Sequence, residues 1–449
     1  MILKKFNTMY SLLRDANKYG FISGHKYLDN EDLSRIERIV YRSNSDAESD
    51  QHLVESYENK FSSFFECKNN IVSFASGRMA FYSLMRIMLI SPGDEVILTG
   101  FTCAVMVNAV LRIGAKPVYC DIEKDTFGSC PLSIAKLINT KTKMVVAQHS
   151  FGIPCNIQEI ADICKKRGVF LLEDCAITFD SKIDGRAVGN FGDAALFSTD
   201  HSKPINTIIG GCIYIKDDSL LRKMRDYRQE IPSIDQDRQI NLFEQFLFEN
   251  MINRECDTIV RSFQNVFTVF KRQLIITIKN KRRKIYLEGD NFNPTLFPQL
   301  HDSNYCNYPY PAKFPAFMAY IGLIELERWK TERENRKQIL ASYIKTMVNF
   351  RIDIKEVLPK SYFDDHLEIV PLRFVFSNRR FNIAYKSLIN TFVDTEAFWF
   401  EKPIICCPHD ITLMGYNAGD APLAEEIGAH IINLPCNLNE TVRVKNKIY

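Results

Sequence analysis

The sequence has few of the features that mark membrane, secreted or nucleic-acid-binding proteins. No stretch approaches the roughly 18 uncharged apolar residues of a membrane span. The first 28 residues contain Lys4 and Lys5, but Arg14, Asp15 and Lys18 interrupt any apolar core that a signal peptide would need. A net charge of +3 over 449 residues gives no reason to expect nucleic acid as a partner. We therefore expect a cytoplasmic protein.

The cysteines form no pattern typical of a metal site. There are 13 of them without repeated CxxC pairs, and several lie in apolar, strand-like runs, such as Cys120 and Cys212. An odd number without a secretory signal favours reduced thiols. Cys406 and Cys407 are adjacent, but no His or Cys cluster lies near them in the sequence. We predict no metal.

Residues from about 66 to 217 alternate short apolar runs with amphipathic segments, and no internal repeat is visible. This alternation predicts βαβ units and a mainly parallel sheet. The strand-like runs are continuously apolar, as expected for strands buried on both faces. The predicted strands are Ile71–Ala75, Glu95–Leu98, Lys116–Cys120, Met144–Ala147, Val169–Leu172, Ala194–Phe197 and Cys212–Ile215. The predicted helices are Gly77–Leu89, Thr102–Arg112, Leu132–Ile138 and Ile157–Arg167.

Ligands of such sheets bind at the C-terminal ends of the strands, so the side chains that follow strands are candidates for function. Ser76-Gly77-Arg78 follows the first strand and opens a helix, where backbone amides and the helix dipole favour an anion. Alone, this pattern is more typical of an ordinary helix cap. Asp174 follows another strand, beside Glu173. Ser198 and Lys203, five residues apart, follow a third.

Together, these residues match what pyridoxal 5'-phosphate (PLP) requires. Its phosphate needs amides and a hydroxyl group. Its ring nitrogen needs a carboxylate that keeps it protonated, so that the ring withdraws electrons, and its aldehyde needs a lysine amine. The sequence therefore predicts a PLP site with Lys203 as the lysine that bonds to the cofactor.

A series of short motifs supports this interpretation by its order and spacing. The motifs are Val54–Phe61, Ser76–Ala80 (like SGTxAL), Pro92–Ile97 (PGDEVI), Gly114–Val118 (GAKPV), Glu173–Ala176 (EDAA), and Gly189–Asp193 with Phe197-Ser198 (GxxGD…FS). Further along, Gly322–Glu327 is similar to GLAQLE, and Pro422–Glu425 and Leu434–Cys436 are similar to PxAE and LP segments. Over roughly three quarters of its length, the chain thus resembles the DegT–StrS family of sugar aminotransferases, which are fold-type-I PLP enzymes.

The resemblance implies a role for each candidate residue. Lys203 would bond to the cofactor and then, once released, act as general base and acid. Asp174 would pair with the protonated ring nitrogen. Ser198 and the helix start that includes Ser76 and the amides of Gly77 and Arg78 would hold the phosphate. The Arg78 side chain, where the family usually has Thr, either adds charge to this contact or points away.

The sequence also departs from the family at cofactor positions. Ile177 stands where the family has a Gln near the cofactor's ring oxygen, and Phe179 stands where it has a His. The aromatic ring that often stacks on the cofactor is replaced by Cys103. Lys313 aligns with the Arg of the family's GYNYR segment. These changes leave open an altered reaction or a weakened enzyme.

Residues 228–305 are an insertion relative to the family. The helical spacing of large apolar side chains within 241–252 and 259–278, followed by the basic run 279–284, favours an amphipathic hairpin. Either this hairpin packs on the enzyme body or its dimer partner, or segment 259–284 docks on an anionic membrane surface. We expect the first arrangement.

The fold expectation is α/β: fold type I, with a large domain built on a mainly parallel seven-stranded sheet and a smaller C-terminal α+β domain. The predicted regions are a helical segment 1–65, a PLP-binding domain 66–227, the insertion 228–305 and a small domain 306–449. The expected activity is amination of a nucleotide-linked keto sugar by a homodimer, with glutamate as donor, for surface polysaccharide. The alternatives are a PLP-dependent dehydratase, an aminotransferase for a non-nucleotide keto substrate, or a non-catalytic regulatory or scaffold protein.

Overall fold

The computed structural model describes residues 25, 27–41, 47–253, 309–379, 399–407 and 410–436. The predicted amphipathic segment 259–284 lies outside these residues. The other apolar helical segment of the insertion lies within a helix, Gln236–Asn253. Within the described residues, no helix combines the length and apolar character that crossing a bilayer requires.

A seven-stranded sheet forms the centre of the molecule, as the sequence predicts. Its order is β1-β10-β9-β6-β5-β2-β4, and only β10 runs against the other six strands. These strands are buried along almost their whole length, because helices cover both faces. Their bounds are β1 Ile71–Phe74, β2 Glu95–Thr99, β4 Lys116–Cys120, β5 Thr142–Gln148, β6 Phe170–Asp174, β9 Ala194–Ser198 and β10 Gly211–Ile215.

Smaller sheets flank this one. Strands Arg373–Ser377 and Ile431–Pro435 form an antiparallel pair, and strands Thr102–Cys103 and Ile404–Ile405 form a parallel pair. The remaining strands and the members of these pairs are β3 Thr102–Cys103, β7 Lys182–Ile183, β8 Arg186–Ala187, β11 Leu367–Glu368, β12 Arg373–Ser377, β13 Ile404–Ile405 and β14 Ile431–Pro435. The helix predicted over Thr102–Arg112 begins only at Ala104, because Thr102 and Cys103 pair with β13.

The helices of the described residues match the predicted segments closely in the sheet region. The helix Gly77–Ile87 starts after a Ser76 cap, and the helix Ile157–Arg167 ends at Gly168, whose φ of 65° is the left-handed conformation that favours glycine. The helices are α1 Asn30–Val40, α2 Ala47–Ser62, α3 Gly77–Ile87, α4 Ala104–Arg112, α5 Pro131–Leu137, α6 Ile157–Arg167, α7 Asp218–Glu230, α8 Gln236–Asn253, α9 Ala316–Asn349, α10 Ile354–Val357 and α11 Pro422–His430.

The long helix α9 links the N-terminal helices to the sheet. It packs against α1 and α2, and its buried Trp329 contacts the ring of Phe179, with ring centres 4.9 Å apart. Phe61 of α2 joins the same aromatic cluster. Helix α7 crosses the predicted boundary between residues 227 and 228. The proposed division into regions otherwise stays a prediction.

Candidate active site

Strand register brings three of the predicted site segments to one edge of the sheet. Gly211 of β10 pairs with Phe74 on one side and with Ser198 on the other. On the next strand, Asp174 pairs with Leu196, two residues before Ser198. The end of β1, the end of β9 and the end of β6 therefore lie side by side. This is the edge where a mainly parallel sheet binds ligands.

The start of helix α3 lies against the end of β9. The Ser76 hydroxyl accepts a 3.4 Å hydrogen bond from the N–H of Met79 and so caps the helix. A Cβ added at Gly77 would lie 3.3 Å from the Phe197 carbonyl oxygen, and one added at Gly211 would lie only 2.3 Å from the Gly77 nitrogen. The two glycines thus allow the first amides of the helix to sit beside Ser198, where they can bind an anion.

Asp174 presents a buried carboxyl group at this edge. Its side chain accepts a 2.9 Å hydrogen bond from the N–H of Ala176. Burial raises the pKa of Asp174, and the Ala176 N–H and the charges of Lys203 and His149 oppose only part of this effect. A cationic group bound beside Asp174 would stabilise the charged carboxylate and lower that pKa.

Beneath this edge, Glu173 belongs to a buried hydrogen-bond network. Its carboxylate accepts N–H bonds of 2.6–2.7 Å from Gly189, Phe191 and Gly192, and His149 Nε2 lies 3.0 Å from it. His149, Glu173 and Cys175 are close enough together to hold a metal ion. The Glu173 oxygens already have partners, however, so we interpret the cluster as a brace for the end of β6.

Lys203 lies in a tight loop after Ser198. Its N–H donates a 2.9 Å hydrogen bond to the Asp200 carbonyl. Burial alone would raise the pKa of Asp200, but the hydrogen bond to His201 and the charges of Lys203 and Arg78 hold it below its usual range. The Arg78 side chain therefore lies within electrostatic reach of Asp200. The sequence alone leaves open whether the Arg78 side chain contacts the phosphate or points away. Here the Arg78 charge acts on the Asp200 carboxylate.

An aromatic ring covers the lysine amine. Lys203 Nζ lies 4.6 Å from the centre of the Trp399 ring, and the guanidinium carbon of Arg373 lies 3.6 Å from the same centre. Asn433 holds this arrangement, since its Oδ1 accepts hydrogen bonds from Arg373 at 2.7 Å and from the Trp399 N–H at 3.2 Å. The sequence alone does not predict this arrangement, because segments distant in the chain bring Lys203, Arg373 and Trp399 together.

Cys103 also faces this region. Its hydrogen bond to Cys406 raises the pKa of the Cys103 thiol well above its usual range, burial adds to this, and the charge of Lys203 opposes it. The contact follows from the pairing of β3 with β13, which places Cys103 opposite Ile405. Cys103 therefore stands near Lys203 as a neutral thiol.

Comparison with known proteins agrees with this arrangement. Residues 28–243 match the model of the DegT/DnrJ/EryC1/StrS aminotransferase family. A GDP-perosamine synthase of Vibrio cholerae is 34% identical over 170 residues, which are 38% of this chain and 46% of that protein. A dTDP-4-dehydro-2,3,6-trideoxy-D-glucose 4-aminotransferase of Saccharopolyspora spinosa is 34% identical over 34% of this chain and 40% of its own. The matched segment thus spans less than half of each relative.

A solved structure extends the likeness of the fold to most of the chain. The PLP form of Spr1654, a putative sugar aminotransferase from Streptococcus pneumoniae, superposes with a TM-score of 0.62 at 17% identity. The match covers 93% of this chain and 94% of that one. The likeness to the fold of Spr1654 therefore continues beyond the residues that match the family model.

Three positions at which the chain departs from the DegT/DnrJ/EryC1/StrS pattern have distinct surroundings. Ile177 is 6% exposed and belongs to the apolar core around the sheet. Phe179 packs among aromatic rings, including that of Phe64 at 5.0 Å. Lys313 forms a backbone bridge with Phe74, at the end of β1. Lys313 is thus near the predicted phosphate edge, whereas Ile177 and Phe179 supply apolar packing where the family has polar groups.

The residues at the sheet edge fit PLP. The two glycines keep the helix start open for a phosphate, and Ser198 adds a hydroxyl group beside it. The buried carboxyl of Asp174 has the raised pKa expected before a cationic ring nitrogen is present. Lys203 is close enough to Asp174 for its charge to lower the pKa of that carboxyl. One ligand that contacts both residues requires such proximity. The assignments of these residues to the cofactor remain predictions.

Proposed function

We propose that the protein is a PLP-dependent aminotransferase that converts a keto group on a nucleotide-linked sugar into an amine. The observation that carries the proposal is the convergence of the α3 start, Ser198, Asp174 and Lys203 at one sheet edge. Relatives named for GDP-linked and dTDP-linked sugars support the substrate class. Glutamate is the proposed donor, and surface polysaccharide the proposed destination of the product.

Each residue has one task in this proposal. Ser198, the Ser76 cap and the amides of Gly77 and Arg78 bind the phosphate. Asp174 orients the ring by pairing with its nitrogen. When bound, PLP supplies a ring that withdraws the electrons left behind when a carbon beside the amine loses its proton.

The Nζ atom of Lys203 then performs the proton transfer. As general base, it takes the proton from the carbon that carries the donor's amine, and as general acid it returns a proton to the carbon that receives the amine. The Trp399 ring lies over this nitrogen and limits the approach of water from that side. Cys103, Ile177 and Lys313 are proposed to complete the cofactor's surroundings.

The experiment is product analysis with purified protein, PLP and glutamate. GDP-, dTDP- and UDP-linked keto sugars are supplied in turn, with Lys203→Ala as the control. We expect one keto sugar to become an amino sugar, with one 2-oxoglutarate formed for each amine. A dehydrated sugar would replace the proposal with the dehydratase alternative. Absence of both products and of cofactor uptake would support a regulatory or scaffold role.

We also propose that the enzyme is a cytoplasmic homodimer. The support is the resemblance to fold-type-I enzymes, which build active sites at a dimer interface. Sedimentation of the purified protein tests this, since a monomer at micromolar concentration would contradict it.

A further inference from the structure

The loop that carries Lys203 is organised around a single buried residue, Asn206. The Asn206 side-chain amide donates a 3.0 Å hydrogen bond to the carbonyl of His201, and its oxygen accepts a 2.8 Å bond from the N–H of Ile208. The N–H of His201 in turn bonds to the Ile208 carbonyl at 3.0 Å. Lys203 lies inside the turn closed by these contacts, so the position of Asn206 sets the position of the lysine.

Two buried side chains from distant parts of the chain hold the backbone of Asn206. His25 Nε2 lies 2.8 Å from its carbonyl oxygen and donates a hydrogen bond to it. Glu325 of helix α9 lies close enough to the N–H of Asn206 for that N–H to oppose part of the rise in its pKa. His25 is 0% exposed and Glu325 is 7% exposed. One turn earlier on α9, Gly322 packs against Thr207, which brings the helix into contact with the loop.

We propose that His25 and Glu325 are positioning residues that hold the Lys203 loop through the two polar groups of Asn206. The inference rests on the proposed function, because the purpose proposed for His25 and Glu325 is the placement of the Lys203 amine. It also gives a role to His25, which lies 181 positions before Asn206 in the sequence.

Both positioning side chains are neutral near pH 7. Burial lowers the pKa of His25 to about 4, and burial raises the pKa of Glu325 to about 8. Within the described part of the chain, His25 Nδ1 and Glu325 Oε1 have no hydrogen-bond partner. Glu325 thus acts as an uncharged acceptor, as a glutamine side chain would. The GLAQLE motif, which Gly322–Glu327 resembles, has Gln at this position.

The charged groups near Glu325 come from its own helix. They are Arg328, whose nitrogen lies 3.7 Å from Glu325, together with Glu332 and Arg336. The N-terminal segment contributes His25, whose Nε2 lies 3.8 Å from Glu325 Oε1. Other elements packed there contribute uncharged groups: Asn250 of α8 bonds to the His25 carbonyl, and Tyr57 of α2 packs on Gly322.

The pH dependence follows from the raised pKa of Glu325. The folded protein keeps a proton on Glu325 that the unfolded chain loses near its ordinary pKa. The stabilisation is therefore complete below that ordinary value and declines as pH rises, until Glu325 ionises through about 8. Above this pH, Glu325 carries a negative charge beside Asn206. The interaction between Glu325 and Asn206 therefore differs from that at pH 7. A glutamine at this position has no proton to lose.

The test compares Glu325→Gln, Glu325→Ala, His25→Gln and His25→Ala with the wild type. Glu327→Gln is the matched control, because Glu327 lies on the same helix, is largely exposed and pairs with Lys60. One readout is the affinity for PLP from pH 6 to 9.5. The other is amide exchange of the peptide 201–209 in protein without cofactor, corrected for the intrinsic pH effect.

We expect both alanine variants to bind PLP at least about fivefold more weakly at pH 7 and to exchange faster at 201–209. Glu325→Gln should match the wild type in PLP affinity and amide exchange at pH 7. It should not show the change in these two quantities that the wild type shows as the pH rises through 8. Equal affinity, exchange and pH profile in wild type, Glu325→Ala and His25→Ala would overturn the inference. If the wild type binds no PLP at any pH, the proposed function fails, and amide exchange alone then decides whether these residues hold the loop.

Discussion

The amine of Lys203 lies 4.6 Å from the centre of the Trp399 ring, and the guanidinium carbon of Arg373 lies 3.6 Å from the same centre. A cation over an aromatic face gains about 0.5–2 kcal/mol, more when water is excluded. The family position that often carries a stacking aromatic is Cys103 in this chain. Trp399 therefore brings an aromatic ring to the lysine from a different part of the fold.

Removing this ring should impair turnover more than folding. We expect Trp399→Ala to lower kcat/KM for the keto sugar by about tenfold, the effect of roughly 1.4 kcal/mol in the transition state. Trp399→Phe keeps an aromatic face and should retain most of the activity. Steady-state kinetics with both variants tests this, and equal kcat/KM for Trp399→Ala and wild type would show that the ring contributes nothing.

Asp174→Asn tests the pairing with the cofactor's ring nitrogen. Ion pairs of this kind shift a pKa by about 1–3 units, so we expect kcat to fall by about 10–1,000-fold with PLP still bound. Asp180→Asn is the control. Asp180 is also a largely buried carboxylate, but it accepts a 3.1 Å hydrogen bond from Trp329 away from the sheet edge. A fall in kcat shared equally by both variants would contradict the assignment.

Gly211→Ala tests the phosphate edge. A Cβ at this position would lie 2.3 Å from the Gly77 nitrogen, so the start of α3 must move. Overpacking of this kind costs about 1–3 kcal/mol, and we expect PLP to bind about 10–100-fold more weakly.

Gly168→Ala provides the matched control for that variant. Gly168 has a φ of 65° with no atom within 4 Å of an added Cβ, so alanine there should cost about 1 kcal/mol of stability without loss of affinity. Titration of PLP into each variant, with thermal unfolding measured alongside, separates the two effects. Unchanged affinity of Gly211→Ala would show that the glycine pair does not shape the phosphate site.

The sequence predicted the central sheet well because its strands are continuously apolar and its helices have clear periodicity. The segments around Asp174 and Ser198 were predictable for the same reason, since each of these residues ends one of those strands. The pairing of Cys103 with Ile405 was not, because β3 has only two residues and its partner lies about 300 positions away. The contacts of Trp399 and the hold of His25 on Asn206 also depend on tertiary packing between distant segments.

The most direct test of the account is to locate the cofactor on the chain. Wild-type protein, Lys203→Ala and the exposed-lysine control Lys360→Ala are incubated with PLP, reduced with borohydride, digested and mapped by mass spectrometry. We predict an absorbance band near ~400–430 nm before reduction and one modified peptide, containing Lys203, in the wild type and the control. Neither should be found in Lys203→Ala. Modification of another lysine, or no band in the wild type, would contradict the assignment of Lys203 and the activity built on it.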